Sequence, residues 1–382
     1  MLNLGLVFEE LEKNGITFFT GVPDSYLDNF CNYILANLAD RNIIAANEGN
    51  AIGIATGHYL ASKEIPLVYM QNSGMGNAIN PLVSLTNAEV YGIPMILLIG
   101  WRGQPGTVDW PQHELQGEIT PKLLDIMRIP YSVLKDDNDN IGTVVSEAVD
   151  TARANRAPYA LLVPKKLLAG EKVNCKDDSY PMSREEAIEI ILDCLPKNTI
   201  YLATTGRATR ELFYLREKRN ESKQCDFLNV GSMGHASSIA LAIALEKKNR
   251  QVVCLDGDAA AIMHMGALTL VSKNHCPNFI HVLLNNGAHE SVGGQPSTGH
   301  SVDFTQIAEA CGYKTVGKPV CNKELLISSL RILGNYDQAS FIDIRIHRGL
   351  KRPLPPLDFS HREAIDSLIA ELNPTTERMA SK

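Results

Sequence analysis

Two side chains in this sequence stand where metal chemistry would need them. Asp258 follows the apolar run Gln251-Val-Val-Cys-Leu255, and Asn286 follows Phe279-Ile-His-Val-Leu-Leu284, with a helix-like apolar pattern from Ala259 to Lys273 in between. Strand, helix and strand in that order make a βαβ unit. Its strands are parallel and its crossover right-handed, so both strand ends open on one edge of the sheet, where open α/β sheets bind ligands. Asp258 and Asn286 are therefore expected to meet. A carboxylate oxygen, a side-chain amide oxygen and a turn carbonyl near Ala288 form a hard donor set suited to Mg²⁺, with a phosphate oxygen completing the shell.

Other residues invite acid-base or anion chemistry. His113 lies in a loop with Trp110 and Pro111, and an imidazole titrates nearest neutrality of all side chains. His289, directly beyond Ala288, is the alternative. Forked cationic donors for an anionic group are also on hand, with Arg102, Arg207 and Arg210 as candidates on loops or helix starts.

These residues need a scaffold, and two α/β blocks supply one. Apolar runs at Ile43 to Ala46, Leu67 to Met70, Met95 to Ile99 and Ala160 to Val163 alternate with helical segments in the first block. Runs at Ile200 to Ala203, Val252 to Leu255, Phe279 to Leu284 and Phe341 to Ile346 do so in the second. The polar stretch from Lys165 to Met182 has linker chemistry, which sets domains at 1–168 and 183–382 with a linker over 169–182. A length of 382 residues with 45% hydrophobic and 21% charged content suits a soluble protein of two or three domains. The net charge of −7, without a Lys/Arg block, argues against a nucleic-acid or anionic-membrane surface. No apolar stretch approaches a membrane span, and the first ten residues lack a basic leader, so the expected location is the cytoplasm. The eight cysteines never come closer than ten residues, which removes any CxxC metal or redox pair.

Three segments in order resemble the thiamine-diphosphate-dependent 2-oxo acid decarboxylase family: Ala46-Asn-Glu-Gly-Asn-Ala51, Gly231-Ser-Met-Gly234, and Leu255-Asp-Gly-Asp-Ala-Ala260 followed by Leu284-Asn-Asn-Gly-Ala288. One departure is Ala259, where the family usually has a third glycine. The resemblance implies two thiamine-diphosphate-binding-type domains, pyrimidine-binding first and diphosphate-binding second, each a mainly parallel sheet flanked by helices. The linker leaves no room for the central third domain of larger members. Glu48 would then be the activating glutamate on the pyrimidine ring, and Met233 the apolar wedge that keeps the cofactor bent. Asp258, Asn286 and Ala288 would hold Mg²⁺. Gly257, Ala259 and Ala260 would line the diphosphate, with Thr205 and Gly206 in a second diphosphate turn. Asp24 and Ser25 fall where relatives place a polar substrate-side residue.

The short two-domain form is similar to members that decarboxylate phosphonopyruvate or sulfopyruvate. Gly21-Val-Pro-Asp-Ser25, Gln71-Asn-Ser-Gly-Met-Gly-Asn77, Asp109-Trp-Pro-Gln-His113, Thr204-Thr-Gly-Arg207 and Asn286-Gly-Ala-His-Glu290 resemble the former most. The implied reaction converts 3-phosphonopyruvate to phosphonoacetaldehyde and CO2, toward 2-aminoethylphosphonate. Sulfopyruvate decarboxylation is the near rival; an acetolactate-synthase-like carboligase and a noncatalytic thiamine-diphosphate binder are weaker readings. Retention of Glu48 argues against the last. The resemblance further implies a homo-oligomer with active sites at subunit interfaces.

Overall fold

The computed structural model describes residues 1–170, 179–350, 352–354 and 357–374. Most of the expected linker, from 171 to 178, lies outside the described residues. The chain divides into two units, Met1–Asn174 with His289–Gln295, and Cys175–Ala288 with Pro296–Lys382. The segment His289–Gln295, which falls in the expected second domain, thus packs with the first unit, where Gln295 Nε2 donates to Asn32 Oδ1 at 3.0 Å.

The first unit is built on six strands in the order Asn42–Ile44, Phe19–Gly21, Leu67–Gln71, Ile96–Gly100, Tyr159–Val163 and Tyr131–Val133. Every pairing among them is parallel. Successive side chains in a strand point to opposite faces, and in a parallel sheet both faces are covered. Leu67, Tyr69, Ile96 and Leu98 accordingly pack under the helices Leu4–Lys13, Asp28–Asn37 and Ile141–Asn155. Val68, Met70, Leu97 and Ile99 pack on the other face, against Glu48–Ser62, Met75–Pro81 and Pro111–Ile126.

The second unit repeats the plan with five parallel strands in the order Asp226–Leu228, Ile200–Ala203, Val252–Gly257, Phe279–Asn285 and Ser340–Arg345. Tyr201, Val253, Leu255, Ile280 and Val282 face the helices Arg184–Cys194, Arg207–Lys218 and Lys323–Leu333. Leu202, Val252, Cys254, Phe279 and Leu283 face Ala236–Glu246. Asp256 and His281 interrupt this second apolar layer and hydrogen-bond to each other, Nε2 to Oδ2 at 3.2 Å. Met182 is already core, and Ser183 starts the first helix with a capping box to Glu186.

One expected element differs. The pattern from Ala259 to Lys273 is an α-helix only over Asp258–Met263; after it, Met265–Lys273 winds as a tighter 3₁₀ helix. The break is His264, which leaves helical geometry at φ −132° and ψ 45° and brings its ring to 4.4 Å from that of His235. Among the described residues no helix is long and apolar enough to cross a membrane.

The edge strand of the second unit hangs on one ion pair. Arg216 donates Nε to Asp226 Oδ2 at 2.8 Å and Nη2 to Asp226 Oδ1 at 2.9 Å, and Nη1 reaches Glu221 at 2.7 Å. Both members of the Arg216–Asp226 pair are buried, so removing one strands the other's charge. Arg216→Met should cost about 3–5 kcal/mol in chemical denaturation, and Arg216→Met with Asp226→Leu should recover most of it. Equal losses in the single and double variants would show that the pair is not what holds this strand.

Candidate active site

Both sheets reverse their strand order beside their first strand, and ligands of open α/β sheets bind at the carboxyl ends of the strands at such switch points. In the second unit the reversal falls between Ile200–Ala203 and Val252–Gly257. Thr204, Thr205 and Gly206 follow the first of these strands, and Asp258 follows the second. Thr204 donates its backbone N–H to Leu255 O at 2.8 Å, while its hydroxyl is buried with no partner among the described residues. Gly206 turns with φ +104° into the helix that begins at Arg207.

The parallel register sets Gly257 opposite Leu284, which carries Asp258 to the level of Asn285 and Asn286. Asp258 is 2% exposed. Burial pushes its carboxyl up to about 6, against hydrogen bonds from the Ser297 side chain and from its own and the Asn286 backbone. Asp258 and Asn286 meet as the sequence anticipates. Asn286 Oδ1 accepts the Ala288 N–H at 3.1 Å, folding the turn so that Ala288 is buried behind it. Arg348 fixes the strand end by donating to the carbonyls of Asn286 and Gly287 at 3.2 and 3.0 Å. Asn285 instead braces the surroundings, giving Nδ2 to Gly299 O at 2.9 Å and to Asp343 Oδ1 at 3.2 Å. Gly257 is half-buried, and Ala259 and Ala260 are buried in the helix start behind Asp258.

Met233 lies in the turn before the helix Ala236–Glu246, half-buried and outside the core clusters, between Ser232 and Gly234, which both take positive φ. An apolar side chain held by a constrained turn and left outside the core is placed to meet a ligand. Arg207 opens its helix, and Arg210 is committed to Leu354 O at 2.5 Å.

In the first unit, Glu48 is the first residue of its helix, with Asn47 as N-cap accepting from Asn50 N at 2.9 Å. Glu48 is 4% exposed. Burial raises its pKa, opposed by a 2.7 Å hydrogen bond from Asn77 Nδ2. Gly74 makes room for it, since a Cβ there would stand 2.1 Å from Glu48 Oε1. A buried carboxyl that favours its proton is suited to sharing that proton with a ring nitrogen.

A second cluster gathers Asp24, Ser25, Arg102 and His113, and adds Tyr26 and Asp109. Asp24 is fully buried, and burial pushes its carboxyl up to about 7, opposed by the Tyr26 backbone N–H and by Arg102. Its Oδ2 accepts Tyr26 N at 3.0 Å, while Oδ1 has no partner among the described residues. Gly100 is required beside it, because a Cβ would come within 2.0 Å of Oδ2. His113 is pushed down to about 4, first by burial and then by Arg102, and its Nδ1 is buried without a partner. It is a neutral imidazole at neutral pH. Asn72 ties the cluster to the sheet, exchanging hydrogen bonds with the Arg102 backbone at 2.8 and 3.2 Å and donating to Thr120 Oγ1 at 2.9 Å. His289 belongs to the first unit and is buried, which lowers its pKa to about 4.

The candidates thus separate by unit. Glu48, Asp24, Ser25, Arg102, His113 and His289 lie in the first, and Thr205, Gly206, Arg207, Met233, Gly257, Asp258, Ala259, Ala260, Asn286 and Ala288 in the second. Asp109, Asn77 and Thr204 lie in segments that carry the resemblance but have no role in the sequence reading, and Tyr26, Ser297 and Arg348 have no signal there. Asp109 had the clearest signal, an acid seven residues after Arg102 in a Gly- and Pro-containing loop.

Comparison with known proteins follows the same division. Residues 5–126 match the thiamine pyrophosphate enzyme N-terminal binding-domain model, and residues 204–344 match the C-terminal one. A phosphonopyruvate decarboxylase of Streptomyces viridochromogenes is 34% identical over 79% of this chain and 78% of its own, and one of Streptomyces hygroscopicus is 33% identical over 79% and 77%. A sulfopyruvate decarboxylase of Methanosarcina acetivorans is 27% identical over 94% of each chain. Two matched binding domains, together with relatives similar over most of their length, place the chain in the thiamine pyrophosphate enzyme family.

Proposed function

We propose that this chain is a thiamine-diphosphate- and Mg²⁺-dependent decarboxylase that converts 3-phosphonopyruvate to phosphonoacetaldehyde and CO2, a step toward 2-aminoethylphosphonate. The observation that carries the substrate side is the cluster at Arg102: a held guanidinium beside a buried, protonatable Asp24 and a hydroxyl from Ser25. The names of the relatives similar over four-fifths of the chain support the same reaction. We infer further that the enzyme works in the cytoplasm as a homo-oligomer with active sites at subunit interfaces, and that its domains run over 1–168 and 183–382.

The residues fit the cofactor. Asp258 carries a buried carboxylate that a divalent cation would keep ionised, and the amide oxygen of Asn286 and the carbonyl of Ala288 complete a hard oxygen set. The orphaned Thr204 hydroxyl and the Thr205–Gly206 turn, with Gly257, Ala259 and Ala260 across the switch point, would receive the diphosphate. Met233 would press on the cofactor's waist. When bound, thiamine diphosphate supplies an electron sink for the pair left as CO2 departs.

The protein's part is to place protons and anions. Burial raises the Glu48 pKa and so favours its protonated form, which would share that proton with the pyrimidine ring. Asp24, at about 7, would hold the proton that the product carbon must receive, while neutral His113 accepts or donates hydrogen bonds without adding charge. Ser25 and Arg102 would face the substrate's second anion, and Arg207 is a separate cationic candidate in the second unit. His289, buried and neutral, is the alternative proton carrier.

Release of CO2 from phosphonopyruvate, sulfopyruvate and pyruvate, each with and without thiamine diphosphate and Mg²⁺, tests this reading. Turnover should depend on the cofactor and be fastest on phosphonopyruvate; preference for sulfopyruvate would change the substrate, and silence on all three would reject decarboxylation.

Asp24 also makes a prediction about stability. Its folded pKa of about 7 exceeds the ordinary 3.8, so folding retains a proton that the unfolded chain gives up. That contribution is complete below about pH 4 and lost as pH rises through 7, each pH unit across that window weakening the fold by roughly 1.4 kcal/mol at most. Wild-type stability should therefore fall from about pH 4 to pH 7 relative to Asp24→Asn, measured by urea denaturation. Parallel profiles would mean that Asp24 does not titrate there.

A further inference from the structure

Arg102 does not hold itself in place. Asp109 Oδ2 accepts from Arg102 Nε at 3.1 Å, and Oδ1 accepts from Arg102 Nη2 at 2.5 Å, a two-point clamp that fixes the plane of the guanidinium. The same carboxylate accepts the Gly103 N–H at 3.0 Å, the Trp110 N–H at 2.8 Å and the Tyr26 hydroxyl at 2.9 Å. Although burial opposes it, this set of donors, led by Arg102, holds the Asp109 carboxyl well below the usual carboxylate range. Its side chain is 1% exposed. The Tyr26 ring lies 5.2 Å from the guanidinium carbon, completing a rigid seat.

The clamp has two consequences. First, Nε and Nη2 face Asp109, which leaves the Nη1 edge directed toward Ser25 Oγ at 3.3 Å. Second, the charges of Arg102 and Asp109 cancel, so the cluster offers directed N–H and O–H groups rather than a net positive field. Next to it, Asp24 Oδ1 is buried and has no hydrogen-bond partner among the described residues, which leaves it open to a partner that the protein does not supply.

We propose that Asp109 is a positioning residue for substrate selectivity: it locks Arg102 so that Nη1 and the Ser25 hydroxyl receive a tetrahedral anionic group on the third carbon of a 2-oxo acid. This rests on the decarboxylase reading above and goes beyond it by naming the group that sets the preference. Phosphonate and sulfonate share the oxygen geometry that such a pair of donors recognises. The locking acts through Arg102, so a freed guanidinium loses the orientation rather than the charge.

The test uses the full chain loaded with thiamine diphosphate and Mg²⁺. For wild type, Asp109→Ala and Asp109→Asn, kcat/KM is measured on phosphonopyruvate, sulfopyruvate and pyruvate. Affinity for 3-phosphonopropionate, which lacks the reactive 2-oxo group, is measured by calorimetry against propionate. Loss of an oriented charge-assisted hydrogen bond predicts that Asp109→Ala lowers the ratio of phosphonopyruvate to pyruvate kcat/KM by about 10- to 100-fold, the loss falling mainly on phosphonopyruvate. The 3-phosphonopropionate affinity should fall in parallel. Asp109→Asn, which keeps one acceptor oxygen, should restore part of the ratio. A larger effect on sulfopyruvate than on phosphonopyruvate would assign the seat to a sulfonate and leave the positioning role intact. Equal losses on all substrates, or an unchanged ratio, would overturn the inference while wild-type selectivity leaves the decarboxylase reading standing. A wild-type enzyme inactive on both anionic substrates would instead overturn that reading, and this inference with it.

Discussion

A carboxyl group taken out of water must find a proton, a cation or a full set of hydrogen-bond donors, and among the described residues Glu48, Asp24 and Asp258 find less than that within the protein. Glu48 has Asn77 and its own backbone, Asp24 keeps one oxygen bare, and Asp258 is held by Ser297 and backbone groups while its pKa stands at about 6. The cost of such burial is tolerated where a ligand later supplies the missing partner. Each also sits just beyond a strand of a parallel sheet. Helix starts, tight glycines and Asx turns around these strand ends then read as the means of holding a carboxyl against its own preference for water.

Asp109 makes the contrast plain. It too is hidden from water, yet five donors surround it and its charge is secure. A satisfied carboxylate organises its neighbours, whereas an unsatisfied one is available for chemistry. Within one loop cluster the chain uses both kinds: Asp109 fixes Arg102, and Asp24 retains a proton near neutrality. His113 completes the division of labour, because burial beside Arg102 keeps it uncharged.

Much of this was legible in the sequence, and the misses have physical reasons. Runs of four or more apolar residues such as Leu67 to Met70 and Phe279 to Leu284 gave central strands almost to the residue. Phe19–Gly21, Tyr131–Val133 and Asp226–Leu228 are only three residues each and carry no run to detect, so their presence depends on neighbours already in place. The helix expected through Lys273 had the right period but could not reveal that His264 leaves it to pack against His235. Asp258 and Asn286 could be placed together because parallel register is a consequence of βαβ connectivity. The seat around Arg102 could not, since Asp109, Tyr26 and Asn72 converge from three loops and no spacing rule joins them.

Under the proposed function, the buried carboxyls of Glu48 and Asp258 would act on thiamine diphosphate in separate ways, one through its ring and the other through its metal. Thiamine-diphosphate affinity in the presence of Mg²⁺, measured alongside turnover for Glu48→Gln and Asp258→Ala, tests that most directly. Glu48→Gln should bind the cofactor within a few-fold of wild type and lose nearly all turnover, whereas Asp258→Ala should lose the Mg²⁺-dependent binding itself. Equal loss of affinity in both variants, or retained turnover in Glu48→Gln, would contradict the account.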